Sequence, residues 1–396
     1  MNKKIKILLR SGWQCINIGD VSHSPGAIGV FEKFLPGSEV ILWADNNMTH
    51  ESAKVILKRF PKVKIVFGRI RNDGRGSTVE LDEALRWCDI LVHGSSAALA
   101  ARHDMVAFTR HFKKPFGVFG VTYDKEMYTL DMDKDVLSEA KFAFFRDSLS
   151  LERAKADGVK CPVMEFGPDA AFGTDLSDDY RADIFMRESG LEERKFLCCI
   201  PRLRYSPYWL MKPLPFSEEK HKRNEEMKEH DHAPLREAII KVVRETGLKI
   251  LVCPEDCSQM AVGKEMIMDK LPEDVKEKVV WRSDFWLLDE ALSIYKRSAG
   301  LFGNEMHSPI ICVANGIPAI VCRWKEQTTK GYMWRDIGLS DWLFDMDVPN
   351  ERARIADAVL DIAKNPQEAF KKTAIAREYV LQRQKYICDT IKNSVK

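Results

Sequence analysis

No stretch of this 396-residue chain approaches the roughly 18 consecutive apolar residues that a membrane-spanning helix needs, so no membrane span is expected. Its first apolar run, Ile5–Leu9, is too short for the core of a secretory signal peptide, and a cytoplasmic location is expected. An excess of charge of one sign is missing too. The 61 Lys and Arg stand against 59 Asp and Glu, a formal net charge of +2, without the dense basic surface that binding nucleic acid requires. The 10 cysteines lack the spacing of a disulfide framework, and Cys198, Cys199, Cys253, Cys312 and Cys322 sit in apolar runs, as reduced thiols do. Cys253 and Cys257 have no second cysteine pair nearby, so no metal site is expected. Neither a GxGxxG fingerprint nor a glycine–lysine–serine/threonine phosphate loop is present, which leaves nucleotide binding by those routes unsupported. A small-molecule or carbohydrate partner fits what remains, and the oligomeric state stays open.

What the sequence does contain is alternation. Ile5–Leu9, Val40–Trp43, Val63–Phe67, Ile90–Val92 and Phe116–Val121 read as buried strands, with Phe142–Phe145 and Pro162–Phe166 as further ones. Between them Pro25–Phe34, Thr49–Phe60 and Thr78–Trp87 carry helical spacing. The pattern restarts with strands at Phe196–Ile200, Lys249–Cys253, Val279–Trp281, Gly300–Phe302 and Ala319–Cys322, interleaved with helices at Pro234–Thr246, Gly263–Lys270, Leu287–Arg297 and from Pro309. Strand–helix–strand repetition implies parallel sheets covered on both faces. The expected fold is therefore α/β with two Rossmann-like domains, residues 1–190 and 191–350, followed by a helical tail, 351–396, broken near Pro366. The polar segment Lys212–Asp231 reads as a surface insertion or a lid. Within and beside it, His230 and His232 are solvated loop histidines or metal ligands.

Ligands of parallel α/β sheets bind where strands end and helices begin, and that rule selects a few segments. Ser11–Asp20 follows the first strand; Asp20 could act as a general base or cap the next helix. Val92–Ser96 could hold an anion or a sugar hydroxyl, or simply turn. Asp147 or Ser148 caps a helix. Asp169 in Gly167-Pro168-Asp169 orients a hydroxyl or fixes a turn. Arg202 and Arg204 flank Leu203 after a strand; in extended backbone they point the same way and together suit a carboxylate or phosphate, or else serve in structural ion pairs. Most informative is Gly303-Asn304-Glu305-Met306-His307-Ser308-Pro309. Pro309 suits a first helical turn, so His307 and Ser308 sit at a helix start, where unpaired N–H groups favour anions. Trp209, Trp286, Trp324 and Trp334 either stack on sugar rings or pack in the core.

The order of these segments resembles the polysaccharide pyruvyl transferase family. Asn17-Ile18-Gly19-Asp20, Arg146-Asp147-Ser148, Pro168-Asp169, Gly303-Asn304-Glu305-Met306-His307, Gly316-Ile317-Pro318 and Lys325 carry the likeness over most of residues 12–345. The resemblance implies a glycosyltransferase-B-like fold with two domains facing across a cleft, residues 1–190 on the acceptor side and 191–350 on the donor side. It also implies transfer of a pyruvyl group from phosphoenolpyruvate, a donor substrate rather than a cofactor, to a polysaccharide sugar. In that reading His307 is the acid or phosphate contact, Arg202 and Arg204 the anion clamp, Ser308 and Lys325 further donor contacts. Asn17, Asp20 and Asp169 lie on the acceptor side, with Asp20 as base. One position departs: the family has arginine where this chain has Glu305, which would repel an anionic donor unless paired with Arg202, Arg204 or Arg323. A nucleotide-sugar-dependent glycosyltransferase and a non-catalytic carbohydrate-binding relative are the alternatives.

Overall fold

The computed structural model of the chain describes residues 4–126 and 129–395. The chain divides into two compact units. One comprises the residues up to Cys15, Asp20–Leu176 and everything from Glu378 onward; the other comprises Ile16–Gly19 and Ser177–Arg377. Asp179–Ser189 forms a helix of the second unit, held there by Arg297, which reaches Asp179 at 3.0 Å and Asp183 at 2.9 Å.

The first unit is built on β1 (Lys6–Arg10), β2 (Glu39–Trp43), β3 (Lys64–Val66), β4 (Ile90–His93), β5 (Phe116–Val121), β6 (Ala143–Phe145) and β7 (Met164–Phe166). They pair in the order β3-β2-β1-β4-β5-β6-β7, every pair parallel. The central strands β4 and β5 are buried along their whole length, which is why they read as unbroken apolar runs rather than alternating ones. At the edge, β7 is covered by the end of the helix Pro366–Ser394. Arg383 donates to the Phe166 carbonyl at 2.6 Å and to Glu165 at 2.6 Å, and Tyr379 stacks on Phe166, so the sheet's edge is closed. The break ahead of this helix falls at Asn365, because Pro366 has no N–H to continue the preceding one.

The second unit holds β8 (Phe196–Ile200), β9 (Lys249–Val252), β10 (Val279–Trp281), β11 (Gly300–Gly303), β12 (Ala319–Arg323) and β13 (Leu343–Asp345), in the order β10-β9-β8-β11-β12-β13, again all parallel. Every strand expected from the sequence is present. Among the described residues one strand, β13, was not expected; its apolar stretch, Trp342–Phe344, is three residues long and lies between aspartates.

Two of the expected helices begin well before the spacing implies, and the one expected at Gly263–Lys270 is a π-helical turn, Gly263–Ile267, followed by a 3-10 turn, Met268–Lys270. Ile18–Phe34 begins seven residues before Pro25 and carries that proline inside, forgoing one backbone bond while burying Val21, Ile28, Val30 and Phe31. Lys212–Asp231 is no mobile insertion over most of its length: a single helix runs from Glu218 to Thr246, with Ser217 accepting from the Lys220 N–H at its start. Its first half reads as a loop because the residues it buries are polar, Asn224, Asp231 and His232, so no apolar stripe marks the inner face. Neither histidine there is a solvated loop residue. His230 pairs with Asp231 and Arg352, and the His232 Nδ1 lies 2.5 Å from the Lys228 carbonyl, its pKa lowered to about 4 by burial. Among the described residues no helix is long and apolar enough to cross a membrane.

Gly303 closes β11 with φ +151°, and a Cβ there would stand 2.3 Å from the Ile200 carbonyl oxygen of β8. Replacing Gly303 by Ala therefore costs about 2 kcal/mol or more and lowers Tm by several degrees. A variant that melts with the parent in a thermal scan contradicts this close approach.

Candidate active site

In the second unit the chain steps outward from β8 to β9 and β10, then returns to the other side of β8 with β11. This reversal is the place where open parallel sheets bind ligands, at the strands' carboxyl ends. Three neighbouring strands deliver polar residues there. Arg202 follows β8, Glu255 and Asp256 follow β9, and Asn304 to Met306 follow β11 before the helix His307–Ala314. The last loop is tied down on each side. The Asn304 N–H donates to the Ile200 carbonyl at 2.9 Å, its side-chain amide to the Asp231 carbonyl at 3.2 Å, and Gln327 donates to the Asn304 carbonyl at 2.5 Å.

The side chains form one cluster. Arg202 Nη1 lies 3.2 Å from Glu305 Oε2, and Gln259 Nε2 donates to Glu305 Oε1 at 2.6 Å. The other end of the same amide accepts from the Glu255 N–H at 2.6 Å, which fixes its orientation. Glu255 Oε2 accepts from the Ser308 N–H at 2.6 Å, and its Oε1 lies 3.4 Å from His307 Nδ1. Asp256 accepts from Ser206 at 3.0 Å and from the Ser258 N–H at 2.8 Å. The short stretch Ile16–Gly19 lines the same place: the Ile18 N–H donates to the Glu255 carbonyl at 3.0 Å, Asn17 forms an antiparallel bridge with Asp256, and Asn17 Oδ1 accepts from the Gly19 N–H at 2.7 Å.

Three carboxyls around one guanidinium cannot all be comfortably charged out of water. Burial raises the pKa of Glu255 and of Asp256, and pushes Glu305 up to about 7; the Glu255 charge adds to the shift in Glu305, while Arg202 and Lys330 oppose it. For Arg202 burial is the largest single influence and works against the charge, but Glu305, Tyr208, Asp256 and Glu255 together outweigh it, so the cation is held.

The residues expected from the sequence divide. Arg202, Glu305, His307, Ser308 and Asn17 meet in this cluster. Arg204 does not: it is 1% exposed and bound by Asp231 at 2.8 Å, Glu326 at 3.1 Å and Asp347 at 2.5 Å. The expected pair of arginines fails because β8 ends at Ile200, so strand alternation no longer governs positions 202 and 204. Lys325 is exposed at the end of β12, whereas the charge of Lys330 acts on both Glu255 and Glu305. Arg323 is taken by Asp345 at 2.6 Å.

In the first unit, Asp20 is half-buried in the first turn of Ile18–Phe34 and accepts from Gln14. Asp169 is 0% exposed, accepts from Arg146 at 2.9 Å and the Ala171 N–H at 2.9 Å, and lies 3.3 Å from His23, so it fixes a turn. Asp147 caps Ser148–Ala156 through the Ser150 N–H at 2.8 Å. In Val92–Ser96, His93 is buried and lowered to about 3 by that burial, and Ser95 binds the Phe119 carbonyl, so the segment is a structural turn. Trp286, Trp324 and Trp334 are core residues, each donating its indole N–H to a carbonyl; Trp209 is the one of the four that is half-exposed. Sequence reasoning missed Glu255, Asp256, Gln259 and Lys330. The rule that picked Glu305 would have found the first two, since Pro254-Glu255-Asp256 also follows a strand.

Two wholly parallel sheets of this order, with a polar cluster at the reversal of the second, define a glycosyltransferase-B-like α/β protein. The chain belongs to the polysaccharide pyruvyl transferase family, a family of transferases, whose sequence model matches residues 17–326. Solved structures share the fold. A candidate UDP-N-acetylglucosamine 2-epimerase from Listeria monocytogenes is 14% identical, with 96% of this chain and 94% of that one covered and a TM-score of 0.61. The MnaA–UDP co-structure from S. aureus is 12% identical over 98% of both chains, with a TM-score of 0.56. Anabaena Alr3699/HepE in complex with UDP and glucose is 12% identical over 98% of this chain and 100% of that one, with a TM-score of 0.55. A search of the curated proteins finds no match.

Because the folded protein holds the Glu305 proton more tightly than the unfolded chain, that group's contribution to stability is complete below its ordinary value of 4.5 and is lost as pH rises towards about 7. Glu305→Gln removes this dependence. The difference in Tm between variant and parent shifts in the variant's favour as pH rises from about 5 to about 8; a difference that stays constant over that range contradicts the shifted carboxyl.

Proposed function

We propose that the protein transfers a pyruvyl group from phosphoenolpyruvate to a sugar of a surface polysaccharide or its precursor, forming a pyruvate ketal. Family membership and the fold support the class of reaction. The observation that carries the donor assignment is the state of Arg202. Its side chain is 16% exposed, one nitrogen faces Glu305, and its buried Nε has no hydrogen-bond partner among the described residues. A buried guanidinium N–H left without an acceptor is costly, and a carboxylate or phosphate oxygen is the acceptor that suits it best. Lys330 adds positive charge from the same unit.

Glu305, standing where the family has arginine, fits an anionic donor once its protonation is considered. A carboxyl held near neutrality by burial need not repel an anion, and in its neutral form it donates a hydrogen bond instead. The donor's methylene carbon takes a proton as one sugar hydroxyl oxygen bonds to the adjacent carbon and gives up its own proton. The second hydroxyl oxygen then bonds to that carbon while its bond to the phosphate oxygen breaks, and phosphate departs with the second proton. In this scheme His307 supplies the proton to the methylene or holds the phosphate, Arg202 binds donor oxygens, and Asp20 takes the sugar's proton. No step requires a metal or a cofactor, and the reaction is placed in the cytoplasm, where phosphoenolpyruvate is an ordinary metabolite.

Glycosyl transfer from a nucleotide sugar is the second reading, favoured by the UDP bound in two structures of this fold. The two are separated by thermal stabilisation. Phosphoenolpyruvate stabilises the parent protein, and Arg202→Lys, which keeps the charge but loses the Nε donor, weakens that binding about 10- to 100-fold, the worth of one charge-assisted hydrogen bond. Stabilisation by a UDP-sugar and none by phosphoenolpyruvate contradicts the proposal.

A further inference from the structure

We infer that Glu255 is a positioning residue for His307, its carboxylate holding the imidazole as the Nδ1–H tautomer so that Nε2 is the nitrogen that exchanges the proton. The inference rests on the pyruvyl-transfer reading only for the use made of that proton.

Glu255 is 0% exposed and immobilised from three sides. Gln259 accepts from its N–H at 2.6 Å, its carbonyl accepts from the Ile18 N–H at 3.0 Å, and its Oε2 accepts from the Ser308 N–H at 2.6 Å. Ser308 is itself steadied by the Tyr295 hydroxyl at 3.2 Å. These contacts fix the Glu255 backbone and one carboxylate oxygen and leave Oε1, buried and without a conventional hydrogen bond among the described residues, 3.4 Å from His307 Nδ1. The imidazole is confined as well. It lies so close to Gly19 that a Cβ on that residue would come within 2.3 Å of His307 Cβ and 2.4 Å of Nδ1. A carboxylate fixed opposite Nδ1 favours the tautomer in which Nδ1 donates, because the carboxylate can only accept. The same carboxylate stabilises the imidazolium that a proton donor passes through.

Glu255 could instead serve only as an acceptor for the helix's first N–H groups, and one substitution distinguishes the two roles. Glu255→Gln keeps an oxygen for the Ser308 N–H but turns an NH2 group towards Nδ1, which then accepts and drives the proton to Nε2. The test is nitrogen NMR of 15N-histidine-labelled full chain in alkaline buffer, with the His307 signals assigned by their loss in His307→Gln. The parent shows the Nδ1–H tautomer, Glu255→Gln shows Nε2–H, and Glu255→Asp, which restores a carboxylate, retains Nδ1–H. In parallel, kcat for phosphate release from phosphoenolpyruvate and an acceptor sugar falls by about 100-fold or more in Glu255→Gln with KM for phosphoenolpyruvate little changed, the scale on which a misplaced catalytic proton acts. An Nε2–H tautomer in the parent overturns the inference even if the glutamine variant fails to fold, as does an unchanged tautomer in that variant. If the tautomer switches as expected while the parent releases no phosphate from phosphoenolpyruvate, the positioning role stands and the pyruvyl-transfer reading falls.

Discussion

One buried guanidinium facing three buried carboxyls sets the terms for this site. Arg202 neutralises only part of what Glu255, Asp256 and Glu305 would carry if all were ionised, so burial raises the proton affinity of all three acids, most clearly that of Glu305. The fold makes this unavoidable, because β9, β8 and β11 are adjacent and parallel and each ends in a charged loop. Gln259 keeps the arrangement from collapsing into a single ion pair: its amide donates to Glu305 and accepts from the backbone of Glu255.

A second cluster in the same unit shows what a purely structural use of charge looks like. Arg204 is surrounded by Asp231, Glu326 and Asp347 and lies 5.4 Å from the centre of the Trp324 ring. Arg223 shares Glu326 and Arg352 reaches His230 beside Asp231, and each of the three Arg204 side-chain nitrogens donates to a carboxylate. Removing one partner there would strand a buried charge, which explains why the segment carrying Asp231 is held as helix despite its polar sequence. Arg202 differs from Arg204 in the one respect that matters for ligands: among the described residues its buried Nε–H has no acceptor.

How much of this could be read beforehand depended on the kind of signal. The strands were legible because a parallel sheet buries both faces, so Ile90–His93 and Phe116–Val121 are apolar at every position. His307 and Ser308 were legible because a strand end, glycine and an early proline mark a helix start. The first half of Glu218–Thr246 was not, since its inner face is built from Asn224, Asp231 and His232. The separate fates of Arg202 and Arg204 were equally hidden: two identical side chains two residues apart are sorted by where the acids lie, and Asp231, Glu326 and Asp347 come from distant stretches of chain. Lys330 was passed over for Lys325 because linear spacing cannot tell which of two lysines in a tight loop turns inward.

Donor binding at this site requires that the Arg202 guanidinium receive a ligand's anionic oxygen. A crystal of the protein soaked in phosphoenolpyruvate tests this directly. Density for a donor carboxylate or phosphate within hydrogen-bond distance of Arg202 Nε is the predicted result; phosphoenolpyruvate bound elsewhere, with that nitrogen left as it is, would contradict it.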